Sequence, residues 1–342
     1  MRGPALRVPR ARGEESRRAL MESGGLRRDL AIRSDGESLL LPIVDAASVP
    51  NGLGEIVEAD FEPITADGPS DYRELLTAWP PDEAARLPRS FDVVGDVVLV
   101  RLPPELRPRA REIGEALRRF VPGARIVGAD HGVKGTARRR ELEALAGSGG
   151  WRTRHRENGI EIEVDLERAY FSPRLAREHA RVAAEVARDD RVYDLCCGVG
   201  PFALTIARDG RAERIVAVDS NPEAIALLRA SLAREPFGSR IDPVDADVGA
   251  FVARAPPADR VILNLPHEGI KYLPSVARTV ARRGRLYYYE VTLRTDGQRR
   301  AEAVVATLDR PREWVLADQH VVHPYSPAAD LLAFVWERAS GG

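Results

Sequence analysis

The segment Asp194-Leu195-Cys196-Cys197-Gly198-Val199-Gly200-Pro201-Phe202 constrains this chain more than any other. A short apolar run, Arg191-Val192-Tyr193, precedes it, and a helix-like run from Ala203 to Arg208 follows. An acidic residue closing a strand, then Gly-x-Gly, then a helix with proline in its first turn describes a nucleotide-binding βα turn. Gly198 and Gly200 let the backbone bend tightly and come close to a ligand that a Cβ would hold off. The dinucleotide fingerprint is absent, since no third glycine follows, and no Lys-Ser/Thr pair stands ready to cradle a phosphate. Taken alone, such a turn is as often a tight bend without a ligand.

The next strand narrows the choice. Arg214-Ile-Val-Ala-Val-Asp219 predicts a second buried strand ending in a carboxylate, followed by Ser220-Asn221-Pro222-Glu223 and an apolar-periodic helix through Ala233. An acidic residue about 20 positions past the glycines is where a ribose diol is held. Asp247, after Ile241-Asp-Pro-Val244, is then placed to meet an adenine amino group beyond the third strand. Solvated strand-end carboxylates would not explain that order. The three positions resemble the binding site of an S-adenosylmethionine-dependent methyltransferase. The fold class expected is α/β, a Rossmann-like class I methyltransferase sheet with two smaller N-terminal α+β domains. The cofactor-binding set expected is Asp194, Gly198, Gly200, Phe202, Asp219, Asp247 and Asn264.

At 342 residues the chain is long enough for two or three domains. No apolar run approaches the roughly 18 residues of a membrane span, and no signal-peptide core stands near the start. The two cysteines, Cys196 and Cys197, are adjacent, which makes a bridge between them improbable and a reducing cytoplasm the simplest setting. No metal is expected: the cysteines have no spaced partners, and no His/Asp cluster is left once the acidic residues are assigned to the cofactor. The net charge of −1 hides a pattern. Met1 to Ser34 holds nine arginines against four acidic residues, and Asp35 to Ser90 holds twelve acidic residues against three basic ones. His131 to Arg156 is basic again, with Lys134 and six arginines against Glu141 and Glu143. Local patches, not the total, decide where a phosphate backbone lies.

The opening segment predicts a small βαββ module: a strand at Leu6-Arg-Val-Pro9, a helix from Glu14 to Ser23 ended by Gly24-Gly25, and a hairpin across Ser34-Asp35-Gly36. Residues 61–89 read as an acidic, proline-rich connector, with a short helix from Tyr72 to Trp79 that buries Leu75 and Trp79. A middle module over 90–165 contains the β-rich run Asp92 to Val100 interrupted by Gly95, an amphipathic helix from Glu105 to Phe120, and strands at Arg125-Ile-Val127 and Ile160 to Val164. Residues 166–342 carry the main sheet. Trp314 to Val321 and Leu331 to Trp336 add an antiparallel edge to an otherwise parallel arrangement.

Strand four of that sheet ends in Asn264-Leu265-Pro266-His267, so Asn264 faces the ligand crevice at the carboxyl ends of the strands. An Asn-x-Pro here resembles the Asn/Asp-Pro-Pro-Tyr element of enzymes that methylate nitrogen in planar amides or bases. The competing reading is an Asx turn capping the next segment. Upstream, Tyr170-Phe171-Ser172-Pro173-Arg174-Leu175 supplies aromatic faces for an unpaired base and an arginine for a phosphate or base contact. Pro173 predicts a helix start that makes Arg174 and Glu178 an i,i+4 pair on one face.

Together these motifs resemble the archaeal and eukaryotic tRNA (guanine-37-N1) methyltransferase family. Arg7-Val-Pro9 with Gly25-Leu-Arg-Arg-Asp29 is similar to its N-terminal module, which makes residues 1–60 a tRNA-elbow-binding element. Phe91-Asp-Val-Val-Gly-Asp96 and Gly135-x-x-Arg138 resemble its middle, RNA-binding domain. Tyr170 to Leu175, Gly198 to Phe202 and Asn264-Leu-Pro266 resemble its catalytic domain. The resemblance implies methyl transfer from S-adenosylmethionine to N1 of guanosine 37 of tRNA, with Glu178 as general base and Arg138 stabilising charge on O6. It also implies that Tyr170 and Asn264 hold the flipped base, that Arg174 contacts substrate and that Pro266 shapes the pocket. His179, where the family usually has arginine, the pair Cys196-Cys197 and the turn His323-Pro-Tyr-Ser-Pro327 depart from the family pattern and remove no group the chemistry needs. A cytoplasmic monomer without an obligate protein partner or a membrane contact is expected. The alternative is a wyosine-pathway enzyme on the same nucleotide, by aminocarboxypropyl transfer or by methylation of the tricyclic precursor.

Overall fold

Alternating apolar residues build the first part of the molecule. The computed structural model describes residues 1–50, 52–63, 69–134 and 139–340, in two compact units, Met1–Leu75 and Leu76–Gly342. Arg138 and the Gly135-x-x-Arg138 motif therefore lie outside the described residues. In the first unit β1 (Arg2–Pro9), β2 (Arg33–Asp35), β3 (Ser38–Pro42) and β4 (Glu55–Asp60) form an antiparallel sheet in the order β2-β3-β1-β4, with α1 (Gly13–Glu22) after β1. Leu6, Val8 and Leu41 pack with Leu20 of α1, while their neighbours Ala5 and Leu40 pack with Ala59 and Phe61. Period-two alternation thus covers both faces. Helix α1 stops where Gly24 turns to φ +71°, and Gly25 N–H donates to Leu20 O at 2.8 Å. Strand β4 is an addition to the expected βαββ pattern. Its Glu55, Glu58 and Asp60 are exposed at the sheet edge, so its composition resembles a connector. A 3₁₀ turn at Tyr72–Leu75 replaces the expected short helix; Tyr72 and Trp79 are buried and Leu75 is half-buried.

The second unit opens with α2 (Pro81–Ala84), then β5 (Phe91–Val94), β6 (Val97–Val100), α3 (Ala110–Phe120), β7 (Ile126–Lys134) and β8 (Arg139–Gly147). Its four-stranded sheet runs β5-β6-β7-β8, with β6 and β7 parallel as the helical crossover through α3 requires. A hairpin follows, β9 (Arg152–Glu157) and β10 (Ile160–Asp165), joined by Asn158-Gly159 with both residues at positive φ.

The main sheet contains β11 (Arg191–Leu195), β12 (Arg214–Asp219), β13 (Ile241–Asp245), β14 (Ala258–Leu263), β15 (Val280–Leu293), β16 (Trp314–Pro324) and β17 (Ala329–Arg338), in the order β13-β12-β11-β14-β15-β17-β16. The first five run parallel, and β17 and β16 close the edge antiparallel, as expected. Around it lie α4 (Ala176–Glu185), α5 (Pro201–Asp209), α6 (Pro222–Leu232), α7 (Val248–Val252), α8 (Leu273–Arg278) and α9 (Gly297–Thr307). Val192, Ile262, Tyr287 and Tyr289 join one core with residues of α4, α5 and α6, while Tyr193, Leu263 and Tyr288 join another with residues of α7, α8 and α9. A parallel sheet buried on both faces needs such near-continuous apolar strands. Chain order reverses between β11 and β14, and a ligand crevice opens at that switch point.

Candidate active site

Strand β11 ends and the chain turns sharply, with Cys196 at φ +60°, Gly198 at +57° and Gly200 at +77°. A non-glycine residue in the left-handed region is uncommon, and such residues gather at functional turns. Gly198 lines a cavity of about 520 Å³ together with Asp194, Phe202, Asp219, Asp247 and Asn264. Gly200, also expected to approach the ligand, is not part of that wall. A Cβ there would stand 2.6 Å from Leu228 Cδ1, so this glycine serves the left-handed cap of α5 and its packing on α6.

The three strand-end carboxylates differ in their ties. Asp194 is fully buried; its Oδ2 accepts Ala203 N–H at 3.1 Å, and Oδ1 has no hydrogen-bond partner among the described residues. Burial pushes its pKa up to about 7. Asp219 accepts Gly198 N–H on Oδ2 and Asn221 N–H on Oδ1, both at 2.8 Å, and burial raises its pKa as well. Each of its oxygens keeps a further lone pair. Asp247 caps α7 by accepting Ala250 N–H at 3.2 Å and receives the Tyr272 hydroxyl at 3.2 Å. The residues fit a nucleoside carrying an amino acid: the orphaned Asp194 oxygen seeks a donor, and the cavity falls in the range that encloses such ligands.

Asn264 and Pro266 follow β14 and line the same cavity, as does Tyr170. Tyr170 also lines an adjoining cavity of about 200 Å³ with Phe91, Arg101, Asp130, Arg140 and Arg174. Arg140 ties β8 to this wall: it bonds the buried Asp130, donates to Phe171 O at 2.9 Å and lies 5.5 Å from the Tyr170 ring centre.

The expected Arg174–Glu178 pair does not form. Residues Pro173–Leu175 are a 3₁₀ turn ahead of α4, and its tighter winding carries Arg174 off the Glu178 face. Arg174 donates instead to Asp92 at 2.8 Å. Glu178 is buried and does not itself line the 520 Å³ cavity, whereas Leu175 and His179 on either side of it do. It accepts from Tyr289 Oη at 2.6 Å and from Arg181 at 2.7 and 2.9 Å, and His320 Nε2 stands 3.0 Å away. Burial works against the charge, but the bonds from Arg181, His320 and Tyr289 prevail and hold the carboxyl at about 2.

The structure thus brings together Tyr170, Asp194, Gly198, Phe202, Asp219, Asp247, Asn264 and Pro266. It sets Glu178 one layer behind, with Tyr289 packed on Phe202 at 5.6 Å between ring centres. Sequence reasoning missed Tyr289, Arg181, His320 and Tyr272. The one available signal was register: Tyr289 pairs with Ala333 and Ala333 with His320, which puts both side chains in the row beside Glu178.

Known proteins match this chain along most of its length. Residues 153–313 match the TRM5/TYW2 methyltransferase domain, 72–150 the TYW2 N-terminal domain and 5–50 the tRNA methyltransferase 5 N-terminal domain. The chain is 32% identical over 336 residues to tRNA (guanine(37)-N(1))-methyltransferase Trm5b of Methanocaldococcus jannaschii, covering 96% of each. It is similar to the crystal structure of Trm5b from Pyrococcus abyssi, with a TM-score of 0.72 and 30% identity over 98% of this chain and 99% of that one. It is also similar to aTrm5 in its complex structure with tRNALeu, with a TM-score of 0.70 and 30% identity over 98% of this chain and 100% of that one.

Proposed function

Since the chain belongs to the tRNA (guanine-37-N1)-methyltransferase family, we propose that its 520 Å³ cavity is where a methyl group passes from S-adenosylmethionine to N1 of guanosine 37 of tRNA, beside the anticodon. The observation that carries this reading is the convergence of three strand-end carboxylates and Asn264 on one cavity, with an orphaned oxygen on Asp194. Bound there, S-adenosylmethionine supplies an electrophilic methyl group on a sulfonium.

The chain's own residues do the rest. Asp219 offers its free lone pairs to a ribose diol, Asp247 meets the adenine end and Asp194 Oδ1 takes a donor. Asn264 presents one acceptor and two donors to the edge of the target base, and Tyr170 and Pro266 enclose it. Guanine N1 carries a proton that must leave as the methyl group arrives. Glu178 takes that proton, and Arg138 favours the enolate-like form by holding charge on O6. Removing one such group costs on the order of 10²–10⁴ in rate.

The partner is tRNA, held by the basic stretches Met1–Ser34 and His131–Arg156 as well as by the cavity. The first sixty residues reach the elbow, the acidic segment 61–89 connects, the module over 90–165 binds RNA, and residues 166–342 hold the cofactor. We place the enzyme in the cytoplasm as a monomer. Among the described residues no helix is long and apolar enough to cross a membrane. Incubation with S-adenosylmethionine and an unmodified tRNA transcript, followed by nucleoside analysis, tests the reading. It requires 1-methylguanosine from a transcript with G37 and none from one with another base there.

A further inference from the structure

Glu178 has no lone pair to spare. Oε1 receives Tyr289 Oη at 2.6 Å and Arg181 Nη2 at 2.7 Å; Oε2 receives Arg181 Nε at 2.9 Å and faces His320 Nε2 at 3.0 Å. A carboxylate offers about four lone-pair sites, so four donors fill it. The N1–H of a guanine would be a fifth donor, and one of the four must give way to it.

The four are not equally able to leave. Arg181 grips both oxygens and keeps its charge at any working pH. Tyr289 is fully buried against Phe202. His320, on β16, has a side chain 27% exposed, and imidazole is the one group among them that loses a proton near neutrality. Its Nδ1 lies 2.8 Å from Asp318 Oδ2. Ionised carboxylates only accept hydrogen bonds, so a ring set between two of them carries a proton on each nitrogen. The charged groups facing His320 are Glu178 and Arg181 from α4 and Asp318 from its own strand, with Tyr289 of β15 meeting it across the shared carboxylate.

We propose that His320 is a proton-controlled latch on Glu178, a positioning residue whose Nε2 proton must leave before Glu178 has a lone pair for the N1 proton of the target guanine. The imidazolium gives its proton to solvent, and Oε2 is left with one donor. The N1–H bond then breaks, its proton forms an O–H bond on Glu178, and its electron pair stays on N1 as the nucleophile. The hydrogen bond to Glu178, with that to Asp318 behind it, raises the imidazole pKa, so the latch opens on the alkaline side of the usual value near 6.5. The inference rests on the reading of Glu178 as the base.

Two substitutions with opposite expected effects test it. His320→Ala removes the fourth donor: single-turnover methyl transfer at pH 6 should exceed wild type and lose the acid limb, which in wild type falls about tenfold per pH unit below the imidazole pKa. His320→Arg supplies a permanent donor and should stay slow from pH 6 to 9. A merely structural role slows both variants and leaves the limb in place, and that result overturns the latch. Nuclear magnetic resonance titration of the His320 ring in the cofactor-free protein gives a readout apart from turnover. The ring should titrate above 6.5 in wild type and fall in Glu178→Gln; no difference between them overturns the latch as well. Glu178→Gln turnover separates the two claims: a rate within tenfold of wild type removes the base itself, whereas a large loss with His320 variants that keep the wild-type limb removes only the latch.

Discussion

Asp219 holds in place the turn that lines its own cavity: its Oδ2 accepts the backbone N–H of Gly198 at 2.8 Å, across the gap between β12 and β11. One carboxylate therefore shapes the glycine turn and presents its remaining lone pairs to the ligand.

Asp219→Ala should weaken S-adenosylmethionine binding by about 10²-fold or more, since two charge-assisted hydrogen bonds at roughly 1.5–3 kcal/mol each are lost with the tether on Gly198. Binding of tRNA should stay nearly unchanged. Titration calorimetry with each ligand measures both, and equal cofactor affinities would remove the ribose assignment.

Asp194 makes a pH-dependent contribution of the opposite kind to a paired carboxylate. Its folded pKa, about 7, lies above the unfolded value near 3.9, so its favourable contribution is complete below the unfolded value and is lost as pH rises through 7. Asparagine does not titrate. The stability of ligand-free Asp194→Asn relative to wild type should rise by roughly 3 kcal/mol between pH 5 and pH 8. Denaturant unfolding at the two pH values reads the change, and a difference independent of pH would show that Asp194 is ionised throughout.

Glu178→Gln keeps shape but cannot accept a proton at neutral pH. Single-turnover methyl transfer should fall by about 10²–10⁴ with cofactor and tRNA affinities little changed. Arg174→Ala should not imitate it, because Arg174 pairs with Asp92 and not with Glu178. Rapid-quench assays of both variants decide; matching losses would point to a shared structural defect.

Residues 1–75 form a compact unit with its own two-sided core. Their deletion should leave the remainder folded and able to bind cofactor, while tRNA affinity drops and its salt dependence becomes shallower as phosphate contacts are lost. Thermal unfolding and filter binding at several salt concentrations check this. Unchanged affinity for full-length tRNA would exclude the first unit from recognition.

The main sheet was legible because its strands are apolar on both faces and end in polar residues: β11, β12 and β14 announce themselves through Asp194, Asp219 and Asn264. Strands β4, β8 and β9 were not, since Glu55 to Asp60, Arg139 to Glu143 and Arg152 to Glu157 are charged segments that form strands through their partners. The surroundings of Glu178 were hidden for a different reason. Tyr289 and His320 lie 111 and 142 positions away along the chain, and only the pairing of β15, β17 and β16 brings them to α4. The departure at Arg174 is local: helical spacing predicts its pairing with Glu178, but the chain makes a 3₁₀ turn there.

On the proposed function, this cavity delivers the methyl group, not the aminocarboxypropyl group, of S-adenosylmethionine to N1 of guanosine 37. Incubation of the full chain and an unmodified G37 transcript with cofactor labelled separately in the methyl and carboxyl carbons tests it most directly. Methyl label should appear in the RNA, recovered wholly as 1-methylguanosine at position 37, with no carboxyl label. Carboxyl label in the RNA, or methyl label at another nucleotide, would contradict it.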